Sequence, residues 1–233
     1  MPRRSTRPGS ALRIVGGALG GRRFGRPEVV TRPTSDRVRE ALASIVTARL
    51  ELDGARVLEL FAGTGACSFE LLSRGAASAV LVERDPRAAA DLEASAEALE
   101  LTDRCTLVRA ELGSARAFAG LPEGPFDVVI ADPPYDRVGL ALDVLWALAD
   151  DGRIPAHGLV TLEHRSADAA EVDAALHRHA ASSRLGDATS SRLCLVSRYR
   201  YGDSTISLLA REATGDPSDA LPTPERADPS TDA

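Results

Sequence analysis

The short stretch "DPPY", Asp132 to Tyr135, closes an apolar run with residue types that can hold an amino group. An exocyclic amine on a nucleobase is a poor nucleophile because its lone pair is delocalised into the ring. The Asp132 carboxylate and the Pro133 carbonyl could each accept one of its N–H groups, while Pro133 and Pro134 restrict the backbone. Tyr135 could stack on a base turned out of its helix, a contact worth about 1–3 kcal/mol. We interpret the stretch as a clamp that orients an amine for reaction; an ordinary Pro-Pro turn with a surface tyrosine is the alternative.

A second chemical motif, "ELFAGTGACSFELL", lies upstream. Gly63 and Gly65 allow a tight turn and close backbone approach, and the helix that follows directs its N-terminus at a ligand. A dinucleotide site would favour a third glycine where Ser68 stands, so a pyrophosphate cradle is poorly supported. Glu83, which ends the next apolar run, could accept hydrogen bonds from two ribose hydroxyls. The pattern favours a nucleoside without a pyrophosphate, such as S-adenosylmethionine.

Further cofactor contacts are expected beside these motifs. Glu59 would place negative charge near the methionine ammonium, and Glu111, just past the third apolar run, could meet the adenine edge; a solvated loop acid is the alternative for Glu111. The helix that starts after Thr34 or Ser35 could receive the methionine carboxylate at its N-terminus. The expected cofactor-binding residues are Thr34, Glu59, Phe61, Ala62, Gly63, Gly65, Glu83, Arg84, Glu111 and Asp132.

The elements that must position these residues follow an alternating pattern. Short apolar runs predict buried strands at 56–61, 79–83, 105–109, 126–131 and 158–163. Stretches with helical periodicity separate them. This alternation predicts an α/β fold with a parallel sheet, in which ligands bind at the carboxyl ends of the strands. Two last runs, around 182–187 and 192–199, predict a hairpin.

Charge is divided along the chain. Residues 1–49 contain eleven Arg against three acidic residues, a net charge of +8, whereas the remaining 184 residues carry −14. The segment "LRIVGGALGGRRF" has the pattern of a Gly-rich hairpin that carries Arg13, Arg22 and Arg23. Such a basic cluster is typical of a nucleic-acid partner, and these arginines are expected to contact phosphates. A solvated basic face is the alternative for any one of them.

Neither a metal site nor a membrane span is expected. Cys67, Cys105 and Cys194 are far apart and lack CxxC spacing, which disfavours a disulfide framework and a zinc site. No apolar run approaches the roughly 20 residues that span a bilayer. A reducing cytoplasm is the expected location. The four histidines lack partners at ligand spacing and are expected at the surface: His157, His164, His177 and His179.

The motifs resemble those of a known family. "ELFAGTG" followed by "DPPY" resembles the S-adenosylmethionine-dependent amino methyltransferases. "RIVGGALGGRRFGRP", then "TRPTSDRVREAL", resembles the opening of the bacterial RsmD-type enzymes, and "YGDSTISLL" resembles their closing segment. The likeness covers about residues 12 to 209. The family's arginine-proline-threonine element and the charged helix start after it fall on Arg32, Pro33, Thr34, Asp36, Arg37, Arg39 and Glu40.

The resemblance implies a Rossmann-like class I methyltransferase fold, with a mostly parallel seven-stranded sheet, helices on both faces and a small N-terminal β-hairpin extension. The expected organisation is a disordered basic N-terminus at 1–11, an RNA-contacting hairpin extension at 12–33, a methyltransferase domain at 34–209 and a disordered acidic tail at 210–233. The last of these also follows from its composition, which is rich in Pro, Asp, Ser and Thr.

The implied activity is methyl transfer from S-adenosylmethionine to the N2 amine of one guanine in 16S ribosomal RNA. The expected partner is this RNA or the assembling small ribosomal subunit, with the enzyme as a monomer. The implied catalytic residues are Asp132, Pro133, Pro134 and Tyr135, and the implied RNA contacts are Arg13, Arg22, Arg23, Arg32 and Arg37.

Other functions remain open at this level. A DNA adenine-N6 or cytosine-N4 methyltransferase shares the clamp chemistry but needs a sizeable target-recognition region, and residues 138–205 have the pattern of helices and strands throughout. A protein-glutamine methyltransferase would favour Asn in place of Asp132. A passive nucleotide-binding or RNA-binding module would not need the DPPY stretch.

Overall fold

The computed structural model of the chain describes residues 11–25, 36–113, 120–183 and 192–211. The predictions for Arg32, for Thr34 or Ser35 as a helix cap, and for nearly all of the two termini lie outside these ranges. The strands are β1 (Leu12–Arg13), β2 (Arg23–Phe24), β3 (Arg56–Leu60), β4 (Ser78–Glu83), β5 (Cys105–Arg109), β6 (Val128–Ala131), β7 (Leu159–Arg165), β8 (Leu193–Tyr201) and β9 (Ser204–Arg211). The helices with described bounds are α1 (Asp36–Thr47), α2 (Ala66–Ser73), α3 (Pro86–Ala98), α4 (Val138–Asp150) and α5 (Ala169–Ser183).

Seven of the strands form one sheet in the order β5-β4-β3-β6-β7-β9-β8. The strands from β5 to β7 in this order are parallel, and β9 runs antiparallel between β7 and β8. The expected fold class is therefore confirmed. The direction of winding reverses at β3, which pairs with β4 on one side and β6 on the other. The loops that follow β3 and β6 consequently emerge side by side, where ligands bind in sheets of this kind.

Each face of the sheet has its own apolar core. On the front face, α1, α2 and α3 pack against Val57, Val128 and Leu159. On the back face, α4 and α5 pack against Leu58 and Val129. Successive side chains of a strand point to opposite faces, so strands buried on both sides carry nearly unbroken apolar runs. This is why their sequences appear as short continuous hydrophobic segments.

The prediction of a hairpin between 182–187 and 192–199 is wrong. Ser182 and Ser183 belong to α5, and the antiparallel partner of β8 is β9. The two strands are joined by Gly202 and Asp203, and Gly202 has the positive φ of 62° that short hairpin turns require. The segment of β9 is buried on both faces and so lacks the alternation of an ordinary hairpin strand. It also continues to Arg211, beyond the expected domain boundary at 209.

The small N-terminal hairpin pairs Leu12 with Phe24 and Arg13 with Arg23. The segment between its strands lies on α2, where the amides of Val15 and Gly16 each donate to the Glu70 carboxylate at 2.8 Å. Glycine is needed at this contact: a Cβ on Gly17 would lie 2.1 Å from the Ser73 carbonyl oxygen. The backbone of the hairpin segment is thus bound to α2.

His164 corrects the expectation that the histidines lie at the surface. Its side chain is fully buried in the interior strand β7, and its ring nitrogens lie 2.8 Å from the Ser207 Oγ and the Arg165 carbonyl oxygen. Burial lowers the pKa of His164 below its usual value. His179 is half-buried and stacks on Trp146 with ring centroids 4.3 Å apart.

Two structural features bear on metal and membrane binding. In the described ranges, no group of three or more His, Cys, Asp or Glu side chains is arranged to hold a metal ion. Across those same residues, no helix has both the length and the apolar character needed to cross a membrane.

Candidate active site

A cavity of about 640 Å³ opens at the carboxyl ends of the parallel strands. Its walls come from the segments after β3, β4, β5 and β6, from Glu163 within β7, from α1, from the first strand of the hairpin and from the turn between β8 and β9. The predicted site residues that it brings together are Glu59, Phe61, Ala62, Gly63, Glu83, Arg84, Asp132, Pro133, Pro134 and Tyr135. Gly65, Glu111 and the described arginines predicted to bind RNA do not line it.

The two glycines after β3 have different functions. Both have positive φ angles, 52° at Gly63 and 69° at Gly65. A Cβ on Gly65 would lie 2.9 Å from Leu81 Cδ2 and 3.0 Å from the Phe69 ring, so packing beneath the turn requires this glycine. A Cβ on Gly63 would meet nothing closer than 3.8 Å and would stand in open space at the cavity wall. Gly63 is therefore the position that lets a ligand approach the backbone.

Glu83 is held ready by backbone amides. Its Oε2 accepts from the Gly63 amide, and its Oε1 accepts from the amides of Arg84 and Asp85, all at 2.8 Å. The side chain is buried except where it meets the cavity. These bonds fix the carboxylate before a ligand arrives, as expected for a group that accepts hydrogen bonds from ribose hydroxyls.

Glu59 is a buried carboxyl group at the base of the same turn. Its Oε2 accepts from the Ser68 amide at 2.9 Å, in the first turn of α2. Burial raises the pKa of Glu59 to about 7, and the charge of Asp132 raises it further, while the bonds from Ser68 lower it. A positive charge in the cavity would favour the ionised form. The position therefore fits a methionine ammonium.

The predicted clamp leaves β6 in an extended conformation. Pro134 has φ −51° and ψ 142°, and Tyr135–Arg137 form a single 3-10 turn. The Arg165 guanidinium lies over the Tyr135 ring, 5.1 Å from its centroid, and is itself held by Asp168 at 2.9 Å. The ring is therefore supported from one side at the cavity wall, as a stacking surface requires.

Glu111 is tied to two arginines that do line the cavity. It pairs with Arg137 and, at 3.2 Å, with Arg84. The hydrogen bond from Arg137 is the main cause that holds the pKa of Glu111 below its usual value. This exposed pairing connects the end of β5 with the segment after the clamp. Direct contact between Glu111 and adenine stays a prediction.

Sequence reasoning missed five charged residues that line the cavity: the buried Arg39 and Glu163, and also Asp85, Arg137 and Asp203. Arg39 was named only within the family's charged run, yet it is almost fully buried, lines the cavity and donates to the Arg13 carbonyl oxygen at 3.2 Å. The sequence feature that could have identified Arg39 is a charged residue on the apolar face of the helix, at helical spacing from Leu42 and Ala43. Glu163 lines the cavity at the end of β7 with 9% of its surface exposed. The sequence feature that could have identified Glu163 is the one that identified Glu83: an acid near the carboxyl end of a buried strand.

The arginines predicted to contact RNA lie in different surroundings. Arg13 and Arg23 are exposed and directly opposite each other in the hairpin, and Arg37 is exposed at the start of α1. Arg22 instead donates to the Ala98 carbonyl oxygen and to Glu100, both at 2.9 Å. Arg22 therefore docks the hairpin against the end of α3, and a phosphate contact would have to compete with these bonds.

Comparison with known proteins agrees with this architecture. Residues 12–191 match the family model described as Conserved hypothetical protein 95. Ribosomal RNA small subunit methyltransferase D of Escherichia coli is 35% identical over 153 residues, which cover 65% of this chain and 74% of the relative. The chain belongs to the RsmD family. The Haemophilus influenzae relative of the same name is 30% identical over 159 residues, 65% of this chain and 78% of its own length.

Solved structures place the RsmD-family chain in the same fold. The Escherichia coli structure yhhF, described as a methyltransferase, covers 88% of this chain and 100% of its own with a TM-score of 0.66 and 27% identity. A ribosomal protein L11 methylase from Lactobacillus delbrueckii covers 81% of this chain and 84% of its own with a TM-score of 0.61. Its 16% identity shows the likeness of fold alone.

S-adenosylmethionine is the cofactor of this methyltransferase family. The site has features that fit it: an open backbone approach at Gly63, an oriented carboxylate at Glu83 and a titratable carboxyl group at Glu59. All three lie on one cavity wall, at the ends of the neighbouring strands β3 and β4.

Proposed function

We propose that this RsmD-family protein transfers a methyl group from S-adenosylmethionine to the N2 amine of one guanine in 16S ribosomal RNA. One observation carries the proposal: the amine clamp, Asp132 to Tyr135, lines the same cavity as Gly63 and Glu83. An acceptor site for N–H groups and the features of a nucleoside site therefore share one space. The names of the relatives as ribosomal RNA small subunit methyltransferases support the choice of RNA.

Different clamp residues orient the amine, accept its proton and stack on the base. When bound, S-adenosylmethionine supplies an electrophilic methyl group on a sulfonium. The Asp132 carboxylate and the Pro133 carbonyl each accept one N–H, which turns the nitrogen lone pair toward the cofactor half of the cavity. As the new N–C bond forms and the bond between the methyl group and sulfur breaks, which would leave a neutral thioether, Asp132 accepts the proton that the amine loses. Tyr135, supported by Arg165, stacks on the extruded base.

The N-terminal hairpin supplies the RNA surface in this proposal. Like charges directly opposite in a strand pair are destabilising, and Arg13 faces Arg23 across β1 and β2. A polyanion bound there would offset this repulsion. The hairpin also borders the cavity through Leu12. Residues 12–33 would thus position the RNA, while the domain from residue 34 onward binds the cofactor and the base.

A DNA amino methyltransferase would use the same clamp, but the structure favours it less. The described residues from 138 onward are occupied by α4, β7, α5, β8 and β9, and no separate target-recognition domain occurs among them. A single chain contributes both halves of the cavity, so a monomer acting on RNA or an assembling subunit in the cytoplasm suffices.

The test uses radiolabelled S-adenosylmethionine and small ribosomal subunits, or their precursors, from a strain that lacks this gene. The RNA is digested to nucleosides after reaction with the wild-type protein or with Asp132→Ala. We expect label in N2-methylguanosine, and a loss of at least about 100-fold in the variant because a transition-state contact is removed. Cofactor affinity is measured in parallel to show that the variant still binds S-adenosylmethionine.

Two results would overturn the proposal in different ways. Label in methylated adenine or cytosine of added DNA, with none in RNA, would retain the clamp and reject the RNA substrate. Full activity of Asp132→Ala would retain the substrate and reject the clamp.

A further inference from the structure

Glu163 is a cavity carboxylate to which the reaction described above gives no part. It lies at the carboxyl end of β7, which pairs in parallel with β6. The last register pair joins Ala131 to Leu162, so Asp132 and Glu163 occupy the next position on each chain. Neighbouring strands are about 4.8 Å apart. Glu163 is therefore the nearest acid along the sheet to the amine clamp.

Both side chains project from the same face. Val128 and Leu159 belong to the front core, and side chains two apart along a strand share a face. Asp132 and Glu163 follow this alternation and both line the cavity. Arg165, two residues after Glu163, reaches the ring of Tyr135. Glu163 thus lies beside the acceptor for the amine and close to the proposed stacking surface.

The electrostatics agree with this proximity. Burial is the main reason that the pKa of the Cys67 thiol is raised well above its usual value, and the charges of Glu59, Asp132 and Glu163 raise it further. Arg39 acts in the opposite direction on the same thiol. The buried Cys67 thiol therefore interacts electrostatically with all three acids and with the Arg39 guanidinium.

Two acids side by side at an amine site, Asp132 and Glu163, favour a base edge with two neighbouring N–H donors. Guanine presents an N1–H beside its N2 amine, and the two groups donate in the same direction. Adenine and cytosine present a ring nitrogen acceptor beside their exocyclic amine. A carboxylate next to the clamp would accept the guanine N1–H and would face a lone pair on either of the other bases.

We infer that Glu163 determines base choice by accepting the N1–H of the target guanine. The inference rests on the proposed function and extends it from the amine to the whole Watson–Crick edge. A site built to bind an N–H discriminates strongly against an analogue that lacks it, because its own acceptor is left unpaired.

The test replaces one donor on the substrate. Once the target is mapped, small subunits are reconstituted with 16S ribosomal RNA that carries either guanosine or 2-aminopurine riboside at that position. The analogue keeps the amine, has an acceptor at N1 and lacks the O6 carbonyl. Because the loss of O6 is common to all three proteins, the difference in preference between Glu163→Gln and the wild type isolates the contact at N1. We measure kcat/KM on both substrates for the wild type, for Glu163→Gln and for the exposed control Glu171→Gln on α5, together with the Kd for S-adenosylmethionine and the melting temperature.

We expect the wild type and the control to prefer guanine by about 100-fold, the effect of one hydrogen bond to a charged group. The side-chain amide that Glu163→Gln introduces can donate to a purine N1, so this variant should reduce the preference below about 10-fold while cofactor affinity stays within about twofold. A purely structural role would lower both rates together and leave the ratio unchanged.

The other possible results reject either the inference about Glu163 or the proposed function. If the wild type methylates 2-aminopurine as well as guanine, N1–H is not read, and the inference fails although the proposed function stands. If Glu163→Gln loses cofactor binding, Glu163 serves the cofactor instead. If wild-type label appears in another base, the proposed function itself fails. Should Glu163→Gln not fold, Glu163→Ala takes its place: a reduced guanine preference with unchanged cofactor affinity supports the inference, and an unchanged preference overturns it.

Discussion

Glu59 shows how one buried carboxyl group links the stability of the fold to its ligand. The side chain is 4% exposed, and the hydrogen bond from the Ser68 amide does not compensate for the loss of water. With a pKa of about 7, Glu59 populates both the protonated and the ionised form near neutral pH, and a cation that entered the cavity would favour the ionised form.

The pH dependence of stability should report this group. The pKa of Glu59 is about 7 in the fold against 4.5 as the reference value. Between these pH values the folded state keeps a proton that the unfolded state has lost, so the free energy of unfolding falls as pH rises from 4.5 to 7 and is level above 7. Glu59→Gln should remove about 3 kcal/mol of this decline. Denaturant unfolding of the wild type and of Glu59→Gln at pH 5, 6, 7 and 8 measures the free energy of unfolding. If the difference in this free energy between the two proteins did not change with pH, Glu59 would be ionised throughout the range.

The two turn glycines provide a matched pair of substitutions. Gly63→Ala should cost about 1 kcal/mol of stability for a left-handed alanine and weaken S-adenosylmethionine binding by roughly tenfold or more. Gly65→Ala should cost a further 1–3 kcal/mol because its Cβ overlaps Leu81 and Phe69. Thermal melting and calorimetric titration separate the two effects. If Gly63→Ala bound S-adenosylmethionine with unchanged affinity, the ligand would not approach the backbone at Gly63.

At the scale of elements, α2 connects the proposed cofactor site to the N-terminal hairpin. Its first turn donates to Glu59, and its later residue Glu70 receives the amides of Val15 and Gly16. Glu70 is 1% exposed and also pairs with Arg74 at 3.1 Å. The N-terminal turn of α2 therefore contacts the proposed cofactor site, and a later turn of the same helix binds the hairpin.

Loss of the Glu70 contacts should release the hairpin without disturbing the cofactor. Glu70→Gln can accept only one of the two amides, and the lost bond should cost about 1–3 kcal/mol. Hydrogen exchange at Val15 and Gly16 should rise at least tenfold, and kcat/KM on RNA should fall, while S-adenosylmethionine affinity is retained. Glu93→Gln, exposed on α3, is the control. Unchanged exchange would show that the hairpin is held chiefly by other contacts.

At the scale of the whole molecule, charge is separated between the N-terminal segment and the rest. The first 49 residues carry +8 and the remainder −14. The cavity is lined by three arginines and by six acids of the remainder: Glu59, Glu83, Asp85, Asp132, Glu163 and Asp203. Such a cavity disfavours phosphates and favours N–H donors, so RNA would be held by its backbone at the hairpin and by its base at the sheet.

The salt dependence of RNA binding tests this division. The double variant Arg13→Ala, Arg23→Ala should weaken binding at every ionic strength and reduce the slope of log K against log salt concentration by about 1 to 2. Arg178→Ala, exposed on α5, should leave the slope unchanged. Binding isotherms at several salt concentrations measure this slope for each protein. An unchanged slope in the double variant would place the phosphate contacts elsewhere.

Local sequence was enough to predict the parts of the site that depend on local backbone geometry. The turn at Gly63, the extended exit through Pro133 and Pro134, and the acid at the end of β4 follow from glycine, proline and strand-end chemistry, which act within a few residues. The hydrophobic pattern likewise predicted the parallel part of the sheet, because each strand and helix carries its own period. The hairpin partner of β8 was missed because β9 is buried on both faces and has no alternation.

Tertiary structure alone decided which residues from distant parts of the chain face one another. The burial of Arg39 and His164, the use of Glu70 as the hairpin anchor and the position of Glu163 beside Asp132 depend on pairings between segments far apart in sequence. No local period records such a pairing, since it arises when strand order and helix packing bring the segments together. The sequence by itself thus determined the fold class and the chemical motifs, and the packed sheet determined which further charges surround them.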